Sequence, residues 1–314
     1  MIEKPHNQIH PALQFFIFTG IFFIIFFAGN IVGAGIAAAL YGLNTVFDIA
    51  HLKLASPHVI SAMWIIQITG TTLPIFAAPL FFSYVIAKDP GDYIKPTLRF
   101  SWVLIILILA IMFISNPIIE LLSNINQKMQ LPHFLNSLQK WMEDSENGAQ
   151  KATEVFLRMD TIWDMILNLL FIGLLTAIAE EFMFRGVLQT IFFRLTKNTH
   201  AAVWITAILF SAFHMQFFGF LPRLMLGVLF GYFVAWSGSI WPAVWAHFLN
   251  NGTAVVAVYL YQRKVIKVNP DDQHLFSSGV FLFSLVIMLF LLFLYRKASF
   301  EKKQIFTDHH PQSN

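Results

Sequence analysis

Long apolar runs constrain the fold of this chain more than any other feature of its sequence. A transmembrane helix needs about 20 predominantly apolar residues, and about eight windows meet that requirement. They are residues 12–42, 59–87, 99–123, 162–193, 200–216, 218–237, 240–262 and 276–296. Because a helix satisfies its backbone hydrogen bonds within one segment, such runs favour helices that cross a bilayer. The sequence therefore predicts an all-α, polytopic membrane protein with about eight transmembrane helices in one bundle.

The composition agrees with a membrane protein and excludes several kinds of site. Hydrophobic residues make up 57% of the 314 residues and charged residues 12%, whereas a soluble domain is about 45–50% apolar and about 25% charged. The chain has no cysteine, which excludes disulfides, a thiol nucleophile and cysteine-ligated metals. The net charge of +3 is small and the basic residues lie mainly at span ends, so no nucleic-acid partner is expected.

The basic residues predict the orientation of the spans, because Lys and Arg are enriched in the cytoplasmic loops of membrane proteins. If the N-terminus lies inside, the cytoplasmic segments contain Lys4, Lys88, Lys95, Arg99, Arg194, Lys197, Arg296, Lys297, Lys302 and Lys303. Lys53 and the cluster at residues 263–267 lie on the opposite side and weaken the bias. We expect both termini in the cytoplasm and the spans in a lipid bilayer, which is the cell membrane if the source is bacterial.

Polarity divides the chain into four parts. Residues 1–123 contain three spans whose cores lack ionisable side chains. Residues 124–161 are polar, with apolar residues on one helical face, and predict a helix on the membrane surface or, alternatively, a lid over a substrate. Residues 162–262 contain four spans with ionisable groups and form the expected catalytic core, and residues 263–314 contain the last span and a cytoplasmic tail.

Glu180 and Glu181 lie inside the fourth span, where ionisable groups are rare and usually mark a functional site. Glu180 precedes Arg194, near the end of its span, by 14 residues, which is about 21 Å in a helix. His214 follows His200, at the start of the next span, by the same interval. If both span ends lie at one interface, Glu180 and His214 share a depth and could meet across antiparallel helices.

Spacings of four residues connect these side chains with others on the same helix face. Glu181 and Arg185 are in the order that favours a helical ion pair, and His247 and Asn251 share a face of a later span. A carboxylate in an apolar site is suited to act as a general base, and a histidine beside it can orient a water. A second histidine and a carboxamide offer hydrogen bonds to an oxyanion. These are the parts needed to hydrolyse an amide.

Three motifs occur in order on successive predicted helices. They are Glu180-Glu181-x-x-x-Arg185, Phe210-x-x-x-His214 and His247-x-x-x-Asn251. They resemble the motifs of the CPBP family, the CAAX-protease and bacteriocin-processing membrane proteins that are also called Abi and include the type II CAAX prenyl endopeptidases. The resemblance covers roughly residues 160–260. It implies an eight-helix membrane fold with a water-filled cavity that opens toward the cytosol.

The resemblance also implies roles for individual residues. Glu180 would activate water together with His214, and His247 and Asn251 would stabilise the oxyanion. The family has been described as metalloproteases and also as enzymes that use a glutamate without metal. Glu180, His214 and His247 could hold a divalent ion such as zinc, so the sequence leaves both mechanisms open.

Two further motif residues, Glu181 and Arg185, are expected to support the site. No other cofactor is expected. The predicted function is an intramembrane endopeptidase that cleaves near the cytoplasmic membrane face, with a peptide precursor, a CAAX-like protein or another membrane protein as its substrate.

An alternative function follows from the same ionisable groups, because intramembrane Glu and His also serve in proton relays and ion paths. The chain could be a transporter, or a membrane binding or immunity protein that reuses the fold without catalysis. Transporters often have internal repeats, whereas the polar residues here cluster in one half of the chain. This asymmetry favours the enzyme.

Overall fold

The computed structural model describes residues 9–51, 53, 56–270 and 276–308, with side chains described up to Phe300, and every regular element in these ranges is helical. Numbered in chain order, the helices are α1 (Pro11–Tyr41), α2 (Leu43–Ala50), α3 (Val59–Ile86), α4 (Pro90–Ile94), α5 (Trp102–Gln127), α6 (Asn136–Phe156), α7 (Ile162–Thr196), α8 (Thr199–Phe213), α9 (Phe220–Ser237), α10 (Trp241–Gln262) and α11 (Ser278–Asp308). The predicted all-α, polytopic fold is confirmed. Lys4, which contributes to the predicted orientation, lies outside the described residues.

The number of standard spans is smaller than the number of predicted windows. Among the described residues, six helices are long and apolar enough to cross a membrane: α1, α3, α5, α7, α9 with the turn before it, and α11. Helix α8 is apolar but has 15 residues. Helix α10 has 22 residues but contains His247, Asn250 and Asn251. All eight windows correspond to helices, and the two that fall short, α8 and α10, end next to His214 and contain His247 and Asn251.

Successive long helices run in opposite directions and define two faces of the bundle. The terminal face is the one where α1 begins and where α7, α9 and α11 end, and the distal face is the one where α1, α5 and α10 end. Near the terminal face, the Phe15 ring of α1 lies 5.6 Å from the Phe192 ring of α7. The Tyr295 ring of α11 lies 4.8 Å from the Phe233 ring of α9. The start of α1 and the end of α11 therefore both lie at the terminal face.

A polar cluster joins the loop at residues 87–101 to the end of α7 at the terminal face. The Arg194 guanidinium donates to the Tyr93 hydroxyl at 2.8 Å and pairs with Asp92. The Lys95 ammonium donates to the Thr190 hydroxyl. Burial lowers the pKa of Lys95 to about 8 and raises the pKa of Tyr93 to about 12. These contacts anchor the loop against the bundle.

Helix α6 lies across the distal face, within the polar segment that the sequence predicted for a surface helix or a lid. The Trp141 ring of α6 lies 5.3 Å from the Phe217 ring in the connection between α8 and α9. The Ser145 hydroxyl donates to the Met215 carbonyl at 2.9 Å. Helix α6 therefore covers the loop that follows His214.

Candidate active site

The acidic pair lies where α7 departs from regular α-helical geometry. Residues Leu169–Leu175 and Phe182–Leu188 are π-helical and flank the α-helical turn Thr176–Glu181. Single π-helical turns inside an α-helix are frequent at functional sites. Here they change the direction in which Glu180 and Glu181 project relative to the rest of the helix.

Glu181 and Arg185 form the ion pair that their spacing predicted. The Glu181 Oε1 atom lies 2.9 Å from Arg185 Nη1, and both side chains are fully buried. Arg185 also donates to the Gly227 carbonyl of α9 at 3.2 Å, and its Cζ atom lies 4.2 Å from the centre of the Phe210 ring. A charge buried this deeply needs a partner, so the pair ties α7 to α8 and α9.

His247 is held by the same carboxylate from α10. Its Nδ1 atom lies 2.8 Å from Glu181 Oε1, and its ring stacks on Phe230 with centroids 5.2 Å apart. Because an ionised carboxylate only accepts hydrogen bonds, we assign the proton to Nδ1. The other ring nitrogen, Nε2, then faces Glu180.

His214 follows the last residue of α8 and is oriented by its own helix. Its Nδ1 atom lies 2.8 Å from the Phe210 carbonyl oxygen, one turn earlier. A carbonyl also only accepts, so Nδ1 carries the proton and Nε2 faces Glu180. The Phe210 ring lies edge-on to both imidazoles, with centroids 5.0 Å from His214 and 5.8 Å from His247.

The two histidines converge on one oxygen of Glu180. Its Oε2 atom lies 3.8 Å from His247 Nε2 and 4.0 Å from His214 Nε2. These distances are too long for direct hydrogen bonds. The oxygen is buried and has no hydrogen-bond partner among the described residues, and a buried oxygen without one calls for an explanation. A small polar group bonded to Glu180 would be within reach of both histidines.

Asn251 lies one turn beyond His247 on α10, toward the distal face. Its amide nitrogen donates to the Ile172 carbonyl at 3.2 Å, and its carbonyl oxygen accepts from Asn250 at 3.2 Å. A carboxamide has two N–H donors, and the bond to Ile172 uses one of them. The structure thus brings Glu180, His214 and His247 together, whereas Asn251 contacts the first π-helical segment of α7 at Ile172, eight residues before Glu180.

Sequence reasoning missed three residues that build the site. Phe230 supports the His247 ring, and Gly227 exposes the carbonyl that Arg185 binds. Asn126 of α5 fixes the loop after His214, because its amide donates to the Phe217 carbonyl at 2.9 Å. Nothing in the sequence marks Phe230 or Asn126, while Gly227 lies four residues before another glycine, a spacing that allows close helix packing.

The described residues contain no group of three or more His, Cys, Asp or Glu side chains placed to hold a metal ion. In a zinc site, nitrogen and oxygen ligands lie about 2.0–2.2 Å from a shared ion. Glu180, His214 and His247 have suitable donor atoms, but as placed they do not form such a ligand set. We therefore assign no step of the chemistry to a metal.

The exposure of the site side chains is greatest at His214, which lies toward the distal face. The Glu180 side chain is 11% exposed and that of His247 5%, whereas that of His214, at the distal end of α8, is 26% exposed. Toward the terminal face, Glu181 and Arg185 are buried. The sequence predicted both cytoplasmic termini and cleavage near the cytoplasmic face. Both stay predictions: α1 begins and α11 ends at the terminal face, whereas His214 lies toward the distal face.

Comparison with known proteins identifies the segment that carries this site. Residues 162–253 match the family model described as type II CAAX prenyl endopeptidase Rce1-like. The resemblance seen in the three motifs is thereby confirmed over this segment, which contains all the predicted site residues. It supports an intramembrane peptidase of the CAAX-protease type.

A second comparison extends the similarity without adding an activity. Over 116 residues the chain is 30% identical to the uncharacterized protein YpbD of Bacillus subtilis (strain 168), a match that covers 35% of this chain and 54% of that protein. The chain thus spans about half the length of this curated relative. No solved structure gives a significant match.

Proposed function

We propose that this protein is an intramembrane endopeptidase that uses Glu180 as a general base. The observation that carries the proposal is the buried Glu180 Oε2 atom, which faces the Nε2 atoms of His214 and His247 at 4.0 and 3.8 Å. A catalytic base must lie within hydrogen-bond reach of the proton it removes, either directly or through one water. The match to an endopeptidase family over residues 162–253 supports the peptidase activity.

In the proposed reaction, a water held by Glu180 and His214 attacks the carbonyl carbon of the scissile peptide bond. Glu180 takes one proton from the water as the new carbon–oxygen bond forms. The carbonyl oxygen becomes an oxyanion in the tetrahedral intermediate. When the carbon–nitrogen bond breaks, Glu180 returns the proton to the leaving amine, so that the carboxylate is regenerated.

We assign stabilisation of the oxyanion to His247 and Asn251. Since His247 donates from Nδ1 to Glu181 at 2.8 Å, it can also donate from Nε2 only when the ring is protonated. The Glu181 carboxylate supplies the counter-charge for that form. Asn251 would contribute an N–H donor from the next turn of α10. Hydrogen bonds aimed at a developing oxyanion act strongly in a site that excludes water.

A comparison of protein termini tests the proposal. Wild type and Glu180→Gln would be expressed at equal levels in cells, and new N- and C-termini of membrane and exported proteins would be identified by mass spectrometry. Glu120→Gln is a matched control, because Glu120 is also a buried carboxylate in a membrane helix, at 9% exposure. We expect a set of termini that appears with wild type and Glu120→Gln and is missing with Glu180→Gln.

The same experiment separates the enzyme from the alternative function. A transporter, binding protein or immunity protein on this fold would produce no new termini in any of the three samples. Identical termini, with all three proteins stably folded in the membrane, would overturn the peptidase. A peptide precursor or a membrane protein is the substrate class that a site inside a helical bundle would accept, and the termini would identify it.

A further inference from the structure

We propose that Arg223 of α9 is a positioning residue for this reaction. It holds the turn that follows α8, at residues 215–219, and thereby keeps the imidazole of His214 against the Glu180 carboxylate. The inference deepens the proposed function and rests on it, because Arg223 would act on the pair of residues that activates the water.

The turn that follows His214 has a strained backbone. His214 comes directly after the last residue of α8, and the next residue, Met215, has a φ of 53°, in the left-handed region. A residue other than glycine is strained in that region and stays there only where the surrounding contacts fix it. Since Met215 adjoins His214, the contacts that hold this turn also bear on the position of the imidazole.

Arg223 supplies two of these contacts from α9. Its Nη1 atom donates to the side-chain oxygen of Gln216 at 2.9 Å, and its Nη2 atom donates to the Gln216 main-chain carbonyl. The planar guanidinium presents its N–H groups in a fixed fork. Two bonds from this fork to one residue fix both the side chain and the backbone of Gln216, two positions after His214.

The guanidinium of Arg223 is built into the turn rather than extended into solvent. A Cβ atom added to Gly219 would lie 2.6 Å from Arg223 Nη2, so a larger residue there would displace the guanidinium. The Arg223 Nε atom is buried and has no hydrogen-bond partner within the part of the chain that the structure describes. An arginine that only reached for the membrane surface would keep its charged head in water.

Arg223 also belongs to the face of α9 that packs against α8. Four residues further on, a Cβ atom added to Gly227 would lie 3.0 Å from the Cβ atom of Ala207 in α8. Residues four apart share a helix face, so Arg223 continues this face toward the end of α8, where His214 follows. The Glu180 carboxylate and that of Glu146 both attract its guanidinium. Arg223 is thus part of the surroundings of the candidate site as well as of the turn.

Other helices hold the residues on either side of Gln216. The Ser145 hydroxyl of α6 donates to the Met215 carbonyl at 2.9 Å, and the Asn126 amide of α5 donates to the Phe217 carbonyl at 2.9 Å. Loss of the Arg223 contacts should therefore loosen the turn at Gln216 without unfolding the helices around it. The expected consequence is a misplaced imidazole in a folded protein.

Kinetics of the purified protein test this role, with a peptide that spans a cleavage site found from the protein termini. We expect Arg223→Met to lower kcat by about 10²-fold, the loss that a misplacement of about 1 Å can cause, with KM and Tm close to those of wild type. Arg263→Met is the matched control, because Arg263 also donates to a loop carbonyl, that of Asp160, at 3.2 Å. Unchanged kcat in Arg223→Met, or a raised KM with unchanged kcat, would overturn the positioning role.

A second variant displaces the guanidinium and keeps every charged group. Gly219→Ala would push the Arg223 side chain away from the turn, and we expect a loss of kcat similar to that of Arg223→Met. Gly148→Ala on α6 is its control, since an added Cβ atom there meets no other atom within 4 Å. Full kcat in Gly219→Ala would show that contact between Arg223 and the turn is not needed.

Amide hydrogen exchange measures the turn independently of activity, because exchange reports local opening of the backbone. We expect the amides of residues 215–219 to exchange faster in Arg223→Met and Gly219→Ala than in wild type. Equal exchange rates would overturn the hold of Arg223 on the turn. If wild type cleaved no peptide at all, the proposed function would be refuted, while the exchange rates would still decide whether Arg223 fixes this turn.

Discussion

The Oε1 atom of Glu181 lies 2.8 Å from His247 Nδ1 and 2.9 Å from Arg185 Nη1. One carboxylate oxygen therefore contacts two buried side chains, which lie on different sides of it. Arg185 neutralises the carboxylate, and the carboxylate orients the imidazole. We therefore infer that Glu181 acts through His247, whereas Glu180, its neighbour in sequence, faces the Nε2 atoms of both histidines.

Glu181→Gln is expected to lower turnover without removing it. The amide keeps the shape of the side chain but removes the negative charge that both His247 and Arg185 contact, so the Tm of the variant is measured beside its turnover. For partners that orient metal-bound histidines the usual loss is about 10- to 100-fold, and we expect a loss of that order here, with a shifted pH–rate profile. Glu180→Gln should lose more. A Glu181→Gln enzyme with unchanged kcat and an unchanged pH profile would contradict the positioning role.

Arg185→Met is expected to destabilise the fold because it leaves Glu181 charged and unpaired in a buried site. Breaking a buried pair from one side costs about 3–5 kcal/mol, which should appear as a lower Tm of the purified protein in detergent. The double variant Glu181→Gln with Arg185→Met removes both charges and should regain much of that stability. Equal Tm values for Arg185→Met and wild type would show that the pair does not hold α7 in place.

Asn251→Ala is expected to lower kcat by about 10²- to 10³-fold, the usual loss for one oxyanion donor, with little change in KM. Asn250→Ala is the matched control, since it removes a carboxamide from the adjacent position. The Asn250 side chain donates a hydrogen bond to Asn251 rather than to α7. A larger loss in Asn250→Ala than in Asn251→Ala would reassign the oxyanion role to Asn250.

Removal of metal ions by a chelator tests whether the reaction proceeds without a metal. Because Glu180, His214 and His247 as placed do not form a metal-ligand set, we expect cleavage by the purified protein to persist after dialysis against 1,10-phenanthroline or EDTA. Metal analysis of the active preparation should find less than one equivalent of zinc. Loss of cleavage that returns on adding zinc would establish a metal-dependent reaction and reassign these three residues as ligands.

The stability of the protein should rise with pH between about 8 and 10. Burial holds the pKa of Lys95 at about 8, below its ordinary value of 10.5. Protonation of a group with a lowered pKa opposes folding, so this penalty fades as pH passes the folded pKa and approaches the unfolded one. Above about 10 the unfolded chain ionises Tyr93, whose folded pKa is raised to about 12, and stability falls again.

Substitution of the lysine provides the control for this pH dependence. Lys95→Met should abolish the rise in Tm between pH 8 and 10, and Lys197→Met, at an exposed position of the same face, should retain it. A wild-type Tm that stays constant or falls over this interval would mean that Lys95 is not the group that titrates.

The sequence by itself determined the fold class and predicted the central residues of the candidate site. Apolar runs of about 20 residues leave helices as the structure that a bilayer accepts, which is why the windows predicted every long apolar helix, while the polar helix α6 lies outside them. Ionisable residues stand out against such runs, so Glu180, His214 and His247 were visible without a structure. The pairing of Glu181 with Arg185 also follows from local geometry, since four residues make nearly one helical turn.

Only the tertiary structure decided how these groups face one another and how far each is exposed. The π-helical turns of α7 rotate Glu180 and Glu181 by an amount that no sequence spacing reveals. The pairing of His247 with Glu181 joins α7 and α10 across 66 residues of chain, and the support from Phe230 joins α9 to α10. The exposure of these groups depends on how α6 and the loop at residues 87–101 pack against the bundle. Long-range packing sets these features, whereas sequence patterns report local periodicity.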